Sequence, residues 1–295
     1  MNMLKILAPA KINLHLQITS KRNDGYHNLI SLFQMISLYD EIIIKKIDES
    51  SIIINGKFDF PTEDNLIYKA ASWMKQTFNI KGGFSISCIK NIPQGAGLGG
   101  GSSDAAATLM GINSLLGLNL KNDLLKKGAL EFGSDVPFFL GSPTAIAEGR
   151  GEKLTPVKTR EDLFVIVTDT GFHSSTQDAF CMLDLDYSTI KNLSLENIAE
   201  AYLSKNPSVW PFSNSFTPFL YNKYSNYKNI IKKLNLNGSD FSSITGTGSS
   251  VFGVFSNENY ADIAQRVLKD SNIIAHKVKM LANRPKPVYN YTTAE

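Results

Sequence analysis

Residues 92–104 read I-P-Q-G-A-G-L-G-G-G-S-S-D. Gly95, Gly97, Gly99, Gly100 and Gly101 lead into Ser102, Ser103 and an apolar, alanine-rich run. Glycine admits positive φ and close approach of backbone to a ligand. A loop of this kind that feeds a helix directs several N–H groups, and the positive end of the helix dipole, at one point. The segment is therefore read as a phosphate cradle. Gly95, Gly97 and Gly100 also fit G-x-G-x-x-G, but the strand-like run at 84–89 ends well before them. That run alternates polar and apolar residues, whereas a buried parallel strand is continuously apolar. The Walker A pattern is absent, because no lysine precedes Ser102 or Ser103.

Around this loop the chain reads as an α+β protein in two halves. Residues 6–18 alternate, with Ile12, Leu14, Leu16 and Ile18 on one face and Lys11, Asn13, His15 and Gln17 on the other. Lys11 and Asn13 therefore point the same way, and for His15 plain solvent exposure is expected. N-D-G at 23–25 marks a turn. Strand-like runs follow at 32–38, 41–47 and 51–54, then an amphipathic helix at 63–78. Ser102 or Ser103 is expected to cap the helix after the glycine loop, which Gly117 stops. A second helix spans 123–132. In S-D-V-P-F-F, Pro137 suits a first helical turn, with Ser134 or Asp135 as its cap. Composition changes near 149–152. Beyond it come a strand at 163–168, a glycine turn at 245–250, a strand at 251–255, a helix at 260–269 and a strand at 273–278. Residues from 283 onward lack periodicity and are expected to be loosely held.

Composition narrows the function. The chain has 295 residues, 43% apolar, with 30 basic and 27 acidic side chains and a net charge of +3. That is too mild for a nucleic-acid surface. No stretch reaches the roughly 20 apolar residues of a membrane span, and residues 1–11 make a poor signal peptide, so the expected location is cytoplasmic. Cys88 and Cys181 are read as small buried hydrophobes, not as a disulfide or a metal site.

Three segments together, P-A-K-I-N-L at 9–14, the glycine loop, and T-G-T-G-S-S at 245–250, resemble the motifs of the GHMP kinases. D-G-Y-H at 24–27 and S-D-V-P-F-F at 134–139 resemble its diphosphocytidyl-methylerythritol kinase branch. The resemblance implies a two-domain fold: an N-terminal ATP-binding domain (1–155) with a left-handed βαβ crossover, a C-terminal domain of helices and antiparallel sheet (156–282), and a tail (283–295). It implies transfer of the ATP γ-phosphoryl group to the 2-hydroxyl of a cytidyl-diphosphate sugar alcohol, with Mg²⁺. The expected partners are these small molecules, with no nucleic acid and no membrane, and the expected state is a monomer or weak homodimer. Rival readings are a homoserine- or mevalonate-type kinase of the same family, and a non-enzymatic RNA-binding module.

Residue by residue, the resemblance makes Asp135 the catalytic base and Lys11 its partner. A lysine beside a carboxylate lowers the acid's pKa and steadies charge on transferring oxygens. At an effective dielectric constant of about 20 and roughly 4 Å, such a pair attracts by about 4 kcal/mol before desolvation. The ATP site would comprise Pro93, Gln94, Gly95, Ala96, Gly97, Leu98, Gly99, Gly100, Gly101, Ser102 and Ser103, with Thr245, Gly246, Thr247 and Gly248. Asn65 and Lys90 would lie near the adenine, although Asn65 is equally well read as a helix cap. Ser102, Ser103 or Asp104 could reach Mg²⁺, and Asp104 could instead point away. For the acceptor, Tyr26 and Phe212 would stack on cytosine, His27 would read its edge, and Asn13 would contact the erythritol end. Phe212 is equally well read as a loop anchor. His173 and Thr176 would line the acceptor cleft, and His276 is structural.

Overall fold

A computed structural model describes residues 2–170, 176–183 and 193–289 of the chain. The polypeptide starts with two long strands, β1 (Met3–Lys21) and β2 (His27–Ile47), paired antiparallel along their length. The turn between them closes through Arg22 N–H to the Tyr26 carbonyl, 2.8 Å, with Gly25 at φ 83°. What reads in sequence as two runs, at 32–38 and 41–47, is one strand that serves two partners. Its first half pairs with β5 and its second half with β4. Register shifts near Pro9/Ala10, Asn13/His15 and Ile18/Ser20 break the β1–β2 ladder. Such bulges bend a strand and re-aim its side chains.

β3 (Ile52–Asn55), α1 (Leu66–Thr77) and β4 (Gly83–Ile89) form a βαβ unit, with β3 parallel to β4. α2 (Gly100–Leu115) follows the glycine loop and is buried on most sides, as its apolar residues require. Gly111 lets it lie against β1 and β2, since a Cβ there would come within 2.5 Å of Ile44 Cδ1 and 3.3 Å of Leu4 Cδ1. α3 (Asn122–Ala129) and α4 (Val136–Phe139) precede the hairpin β5 (Thr144–Gly149) and β6 (Lys153–Pro156). The first sheet therefore orders as β1-β2-β4-β3, with β5 and β6 continuing from β2.

The second sheet is antiparallel throughout, ordered β10-β7-β9-β8. It comprises β7 (Phe164–Thr168), β8 (Phe241–Ile244), β9 (Val251–Phe255) and β10 (Ala275–Lys279). With it lie α5 (Thr176–Leu183), α6 (Leu195–Ser204), α7 (Thr217–Lys223), α8 (Ser225–Leu236) and α9 (Glu258–Asp270). The two sheets share a core. Ala10, Ile12 and Leu14 of β1 pack in one apolar cluster with Val165, Phe252 and Tyr202. The last described strand, β11 (Val288–Tyr289), returns to pair with Leu4 and Lys5 of β1. Val288 and Tyr289 are thus tied to the first sheet.

Three expectations fail here. His15, expected in solvent, is 0% exposed, and the rest of the polar face of β1 is buried with it: Lys11 is 4% exposed, Asn13 3% and Gln17 1%. The reason is that residues from the second half of the chain cover it. Thr245 bonds Asn13, Ser213 N–H donates to His15 Nδ1, and Leu193 N–H donates to Gln17 Oε1. Cys88 is buried but Cys181 is exposed, on α5. No side chain caps α2; Gly99, at φ 70°, holds that position.

Gly83 is the tightest point of the crossover. A Cβ there would lie 1.8 Å from the Ser51 carbonyl oxygen and 2.5 Å from that of Glu49. Both obstacles are backbone, and Ser51 O also accepts Phe84 N–H at 3.0 Å. We expect Gly83→Ala to cost roughly 2–3 kcal/mol in urea denaturation, the scale of a forced overpacking; an unchanged midpoint would show that β3 can move aside.

Candidate active site

The glycine loop and the turn at 245–250 touch through their backbones. Gly95, Gly97 and Gly99 all have positive φ, at 67°, 76° and 70°. A Cβ on Gly97 would lie 2.3 Å from the Thr245 carbonyl oxygen, and one on Gly246 would lie 3.3 Å from Gly97 Cα. Ser250 N–H donates to the Ala96 carbonyl, 3.1 Å. Asn214 holds the second turn by donating to the carbonyls of Ile244 and Gly246, both at 2.8 Å. The N–H groups of Gly100, Gly101 and Ser102 lie in the first turn of α2, where a helix offers no acceptor, and among the described residues no side chain caps that turn.

Two cavities flank this loop. The larger, about 910 Å³, is lined by Lys11, Asn13, Tyr26, His27, Asp135, Phe180 and Thr247 among others. The smaller, about 330 Å³, is lined by Phe58, Phe60, Asn65, Lys90, residues 93–102 and Asp104. Gly97, Gly99 and Ser102 line both. A phosphate chain held along the loop would therefore reach from one cavity into the other.

Lys11 stands at the junction. Its Nζ donates to Asn13 Oδ1 at 2.7 Å, lies 3.5 Å from Asp135 Oδ2 and sits 5.0 Å from the centre of the Phe33 ring. The Lys11 side chain is 6% exposed and that of Asp135 30%. Asp135 occupies the position before α4 but its carboxylate caps nothing, so it is free to face the cleft. Asn13 is fixed on three sides. Its N–H donates to Thr245 Oγ1 (3.0 Å), its Nδ2 to Ser31 Oγ (2.9 Å), and its Oδ1 lies 3.1 Å from the Thr245 hydroxyl. The first and last of these bonds cross from one half of the chain to the other.

At the far end of the larger cavity, Tyr26 is 57% exposed and carries the Arg150 guanidinium over its ring at 4.5 Å. Asp24 shapes this turn, accepting from Tyr26 N–H and pairing with Arg22 at 2.9 Å. His27 stacks on Phe180, with ring centres 4.7 Å apart and planes 25° from parallel. Phe180 in turn packs edge-on against Phe216. Phe212 is elsewhere. It is 7% exposed and wedged among Trp210, His15 and Phe241, and it does not line the cavity. Its apolar ring is used by the core, and the loop-anchor reading of it describes this place. The aromatic that accompanies Tyr26 and His27 is Phe180, which the sequence reading missed because A-F-C sits in an unremarkable helical run. Arg150 was missed for a similar reason, its signal being only one charge in a glycine turn. His173 lies outside the described residues, and Thr176 opens α5 with its side chain also outside them.

Asn65 has two places at once, at the start of α1 and on the wall of the smaller cavity. Its Oδ1 accepts Ile67 N–H at 2.9 Å, capping α1, and it lines the wall. Lys90 is committed to carboxylates: Nζ bonds Asp40 Oδ2, and Asp104 Oδ2 at 2.7 Å. Asp104 therefore points into this cluster. Ser103 is buried, while Ser102 faces both cavities. Burial opposes the Lys90 ammonium, but the charges of Asp104 and Asp40 outweigh it and raise its pKa. Burial raises the Asp104 carboxyl to about 7, against the pull of Lys90 and aided by Asp40. One cation shared by two buried acids leaves an acid in excess, so the two shifts are compatible. Pro93, Gln94, Gly95, Ala96, Leu98, Gly100 and Gly101 all line this cavity; Thr247 lines the other, and Gly248 meets Gly97 from behind.

The chain matches the family model for the GHMP kinases N terminal domain over residues 65–142 and that for GHMP kinases C terminal over 190–274. It is 37% identical over 266 residues to a 4-diphosphocytidyl-2-C-methyl-D-erythritol kinase from Geobacter sp. (strain M21), covering 90% of this chain and 94% of that one. A namesake from Caldicellulosiruptor saccharolyticus is 40% identical, covering 85% and 88%. The chain belongs to the GHMP kinases, in the 4-diphosphocytidyl-2-C-methyl-D-erythritol kinase family. A crystal structure of a 4-(cytidine 5'-diphospho)-2C-methyl-D-erythritol kinase superposes with a TM-score of 0.82 at 31% identity, covering 95% of this chain and all of that one. A homoserine kinase from Cytophaga hutchinsonii superposes at 0.77 with 18% identity, covering 98% of each chain, which is a likeness of fold alone. Within the GHMP kinase fold, the cleft described above lies between the two sheets.

Two expectations follow. Gly97→Ala would push the glycine loop off Thr245, so kcat/KM should fall about 100-fold, the scale of a displacement of about 1 Å at a reacting centre; full activity would mean the loops need not touch. The second concerns His15, whose burial lowers its pKa from 6.5 to about 4. As pH falls below 6.5 the unfolded chain takes up this proton and the folded one does not, so stability present above 6.5 is lost toward 4. His15 should remove about 2 kcal/mol between pH 7.5 and pH 5. By denaturant titration at the two pH values, the wild type should lose more stability than His15→Gln by that amount; equal losses would refute it.

Proposed function

We propose that the protein phosphorylates the 2-hydroxyl of 4-diphosphocytidyl-2-C-methyl-D-erythritol with ATP, a step in non-mevalonate isoprenoid precursor synthesis, and does so in the cytoplasm. The observation that carries this reading is the wall shared by the two cavities at Gly97, Gly99 and Ser102. The smaller cavity, with Phe58, Phe60 and Asn65, suits a purine. The larger, with Tyr26, His27 and Phe180, suits a pyrimidine at one end and a polyol beside Lys11 at the other.

ATP lies with its base in the smaller cavity and its phosphates along the amides of residues 95–102. The acceptor lies in the larger cavity with its cytosine between Tyr26 and the His27–Phe180 pair. Its hydroxyl oxygen meets Asp135 and Lys11. That oxygen forms a bond to the γ-phosphorus, the bond from this phosphorus to the bridging oxygen breaks, and ADP leaves. The hydroxyl proton passes to Asp135. Because the transition state is loose, this transfer comes late, and Asp135 acts as much by orienting the hydroxyl as by basicity. Lys11 neutralises charge on the moving phosphoryl oxygens, and Asn13 fixes its ammonium by the 2.7 Å bond. At 3.5 Å the Lys11–Asp135 attraction is about 5 kcal/mol at an effective dielectric constant of about 20, before desolvation.

Among the described residues no group of three His, Cys, Asp or Glu side chains could hold a metal ion. Mg²⁺ keeps several waters and binds through substrate phosphates plus one or two protein oxygens, a need that the Ser102 hydroxyl beside the loop amides could meet. Ser102 would be such an oxygen; Asp104, tied to Lys90, would not. When bound, Mg²⁺ neutralises charge on the β- and γ-phosphate oxygens.

The test is ADP release from Mg-ATP with the cytidyl acceptor, with homoserine and mevalonate as rivals. Turnover with the cytidyl compound alone is expected. Asp135→Ala should lose 10²–10⁴-fold in kcat, the usual range for a general acid–base group, and Lys11→Met roughly 10²–10³-fold. Turnover with homoserine or mevalonate in its place would refute the acceptor, and wild-type rates in Asp135→Ala would refute the role of that residue.

A further inference from the structure

The Asp40–Lys90–Asp104 cluster lies beneath the phosphate loop and is not part of the chemistry described above. Asp40, on β2, is fully buried. Its Oδ2 bonds Lys90 Nζ, and its Oδ1 accepts the N–H groups of Asn91 (2.6 Å) and Ile92 (2.8 Å), the residues that enter the glycine loop. Asp104 lies in the second turn of α2, just past the loop's exit, and takes the same ammonium at 2.7 Å. Lys90 Nζ also lies 3.3 Å from where a Cβ of Gly100 would stand, so the cation packs directly under the first residue of α2. One ammonium group thus ties the entrance of the loop to its exit. The second oxygen of Asp104 is buried with no partner. The charged contact of this carboxylate is Lys90, so it acts through that ammonium.

We propose that Asp40, Lys90 and Asp104 form a positioning clamp that holds the two ends of the glycine loop at the separation ATP phosphates require. The loop amides are then aimed before nucleotide arrives, and the cost of ordering them falls on folding and not on binding. A buried ion cluster suits such a task. Its members are costly to bury and costly to separate, so it sets geometry more than it adds net stability. The clamp rests on the assignment of ATP to the smaller cavity, made above.

Asp104→Asn keeps the shape of the side chain and removes its charge; Lys90→Met removes the cation. Two measurements separate the clamp from the nucleotide assignment. Without nucleotide, amide hydrogen exchange at Asn91, Ile92 and Ser103, the bonded amides at the two ends of the loop, should quicken at least tenfold in both variants. In steady-state kinetics, KM for ATP should rise at least tenfold while KM for the acceptor stays within twofold. The double variant should be no worse than the worse single one, because either change breaks the same link. If Lys90→Met does not fold, Asp104→Asn alone decides. Unchanged loop exchange would overturn the clamp itself. Faster exchange with an unchanged KM for ATP, or equal rises in both KM values, would overturn its role in nucleotide binding.

Discussion

The structure depends on a contact between two stretches of bare backbone. Gly97 and the Thr245–Gly246 peptide approach so closely that a methyl group on Gly97 would sit 2.3 Å from a carbonyl oxygen. That contact ties the phosphate loop of the first half to the second sheet, and it fixes where the cleft is. Neither turn could reach it alone. Asn214 braces one turn from behind, and the Lys11 N–H anchors the other through the Leu98 carbonyl at 2.9 Å. Asn13 and Thr245 then bridge the two. The reacting groups inherit this geometry, because Lys11 and Asn13 are neighbours on the strand that the contact presses against.

β1 shows what this arrangement costs. Its even-numbered residues supply core to the second sheet, as Ile12 and Leu14 do. Its odd-numbered residues are polar and buried as well. A buried polar group without a partner is costly, so each must be satisfied by something specific. Asn13 is satisfied by Ser31 and Thr245, His15 at Nδ1 by Ser213, and Gln17 by Leu193. The Nε2 of His15 is the exception, and burial keeps that ring neutral. A strand filled on both faces cannot shift register by one residue without exchanging core for site. The bulges at Pro9/Ala10 and Asn13/His15 make the required adjustments.

Much of this was legible in the sequence, and the reasons differ by residue. The glycine loop, the helix after it and the second glycine turn were readable because positive φ and phosphate geometry demand particular residue types. Asp135 and Lys11 were readable only through resemblance, since nothing in their spacing of more than a hundred residues forces a meeting. The burial of β1's polar face was not readable. Alternation reports two faces but not what covers them, and the cover comes from residues about 180 to 230 positions later. For the same reason Phe212 and Phe180 could not be ranked. Both are aromatic residues in the second half, and only tertiary packing assigns one to the core and the other to the cleft. Asp40 carried no local signal at all. It falls between two strand-like runs, and only the continuity of β2 places it beside the loop's entrance.

The central claim is that ATP and the acceptor approach the glycine loop from opposite cavities and meet at Lys11 and Asp135. It is tested most directly by a crystal structure of the protein with a non-hydrolysable ATP analogue and 4-diphosphocytidyl-2-C-methyl-D-erythritol. The account predicts adenine in the cavity of Phe58 and Asn65, and cytosine beside Tyr26, His27 and Phe180. It also predicts the acceptor hydroxyl within hydrogen-bond reach of Asp135, facing the terminal phosphate across Gly97 and Ser102. Adenine in the larger cavity, or phosphates lying away from the amides of residues 95–102, would contradict it.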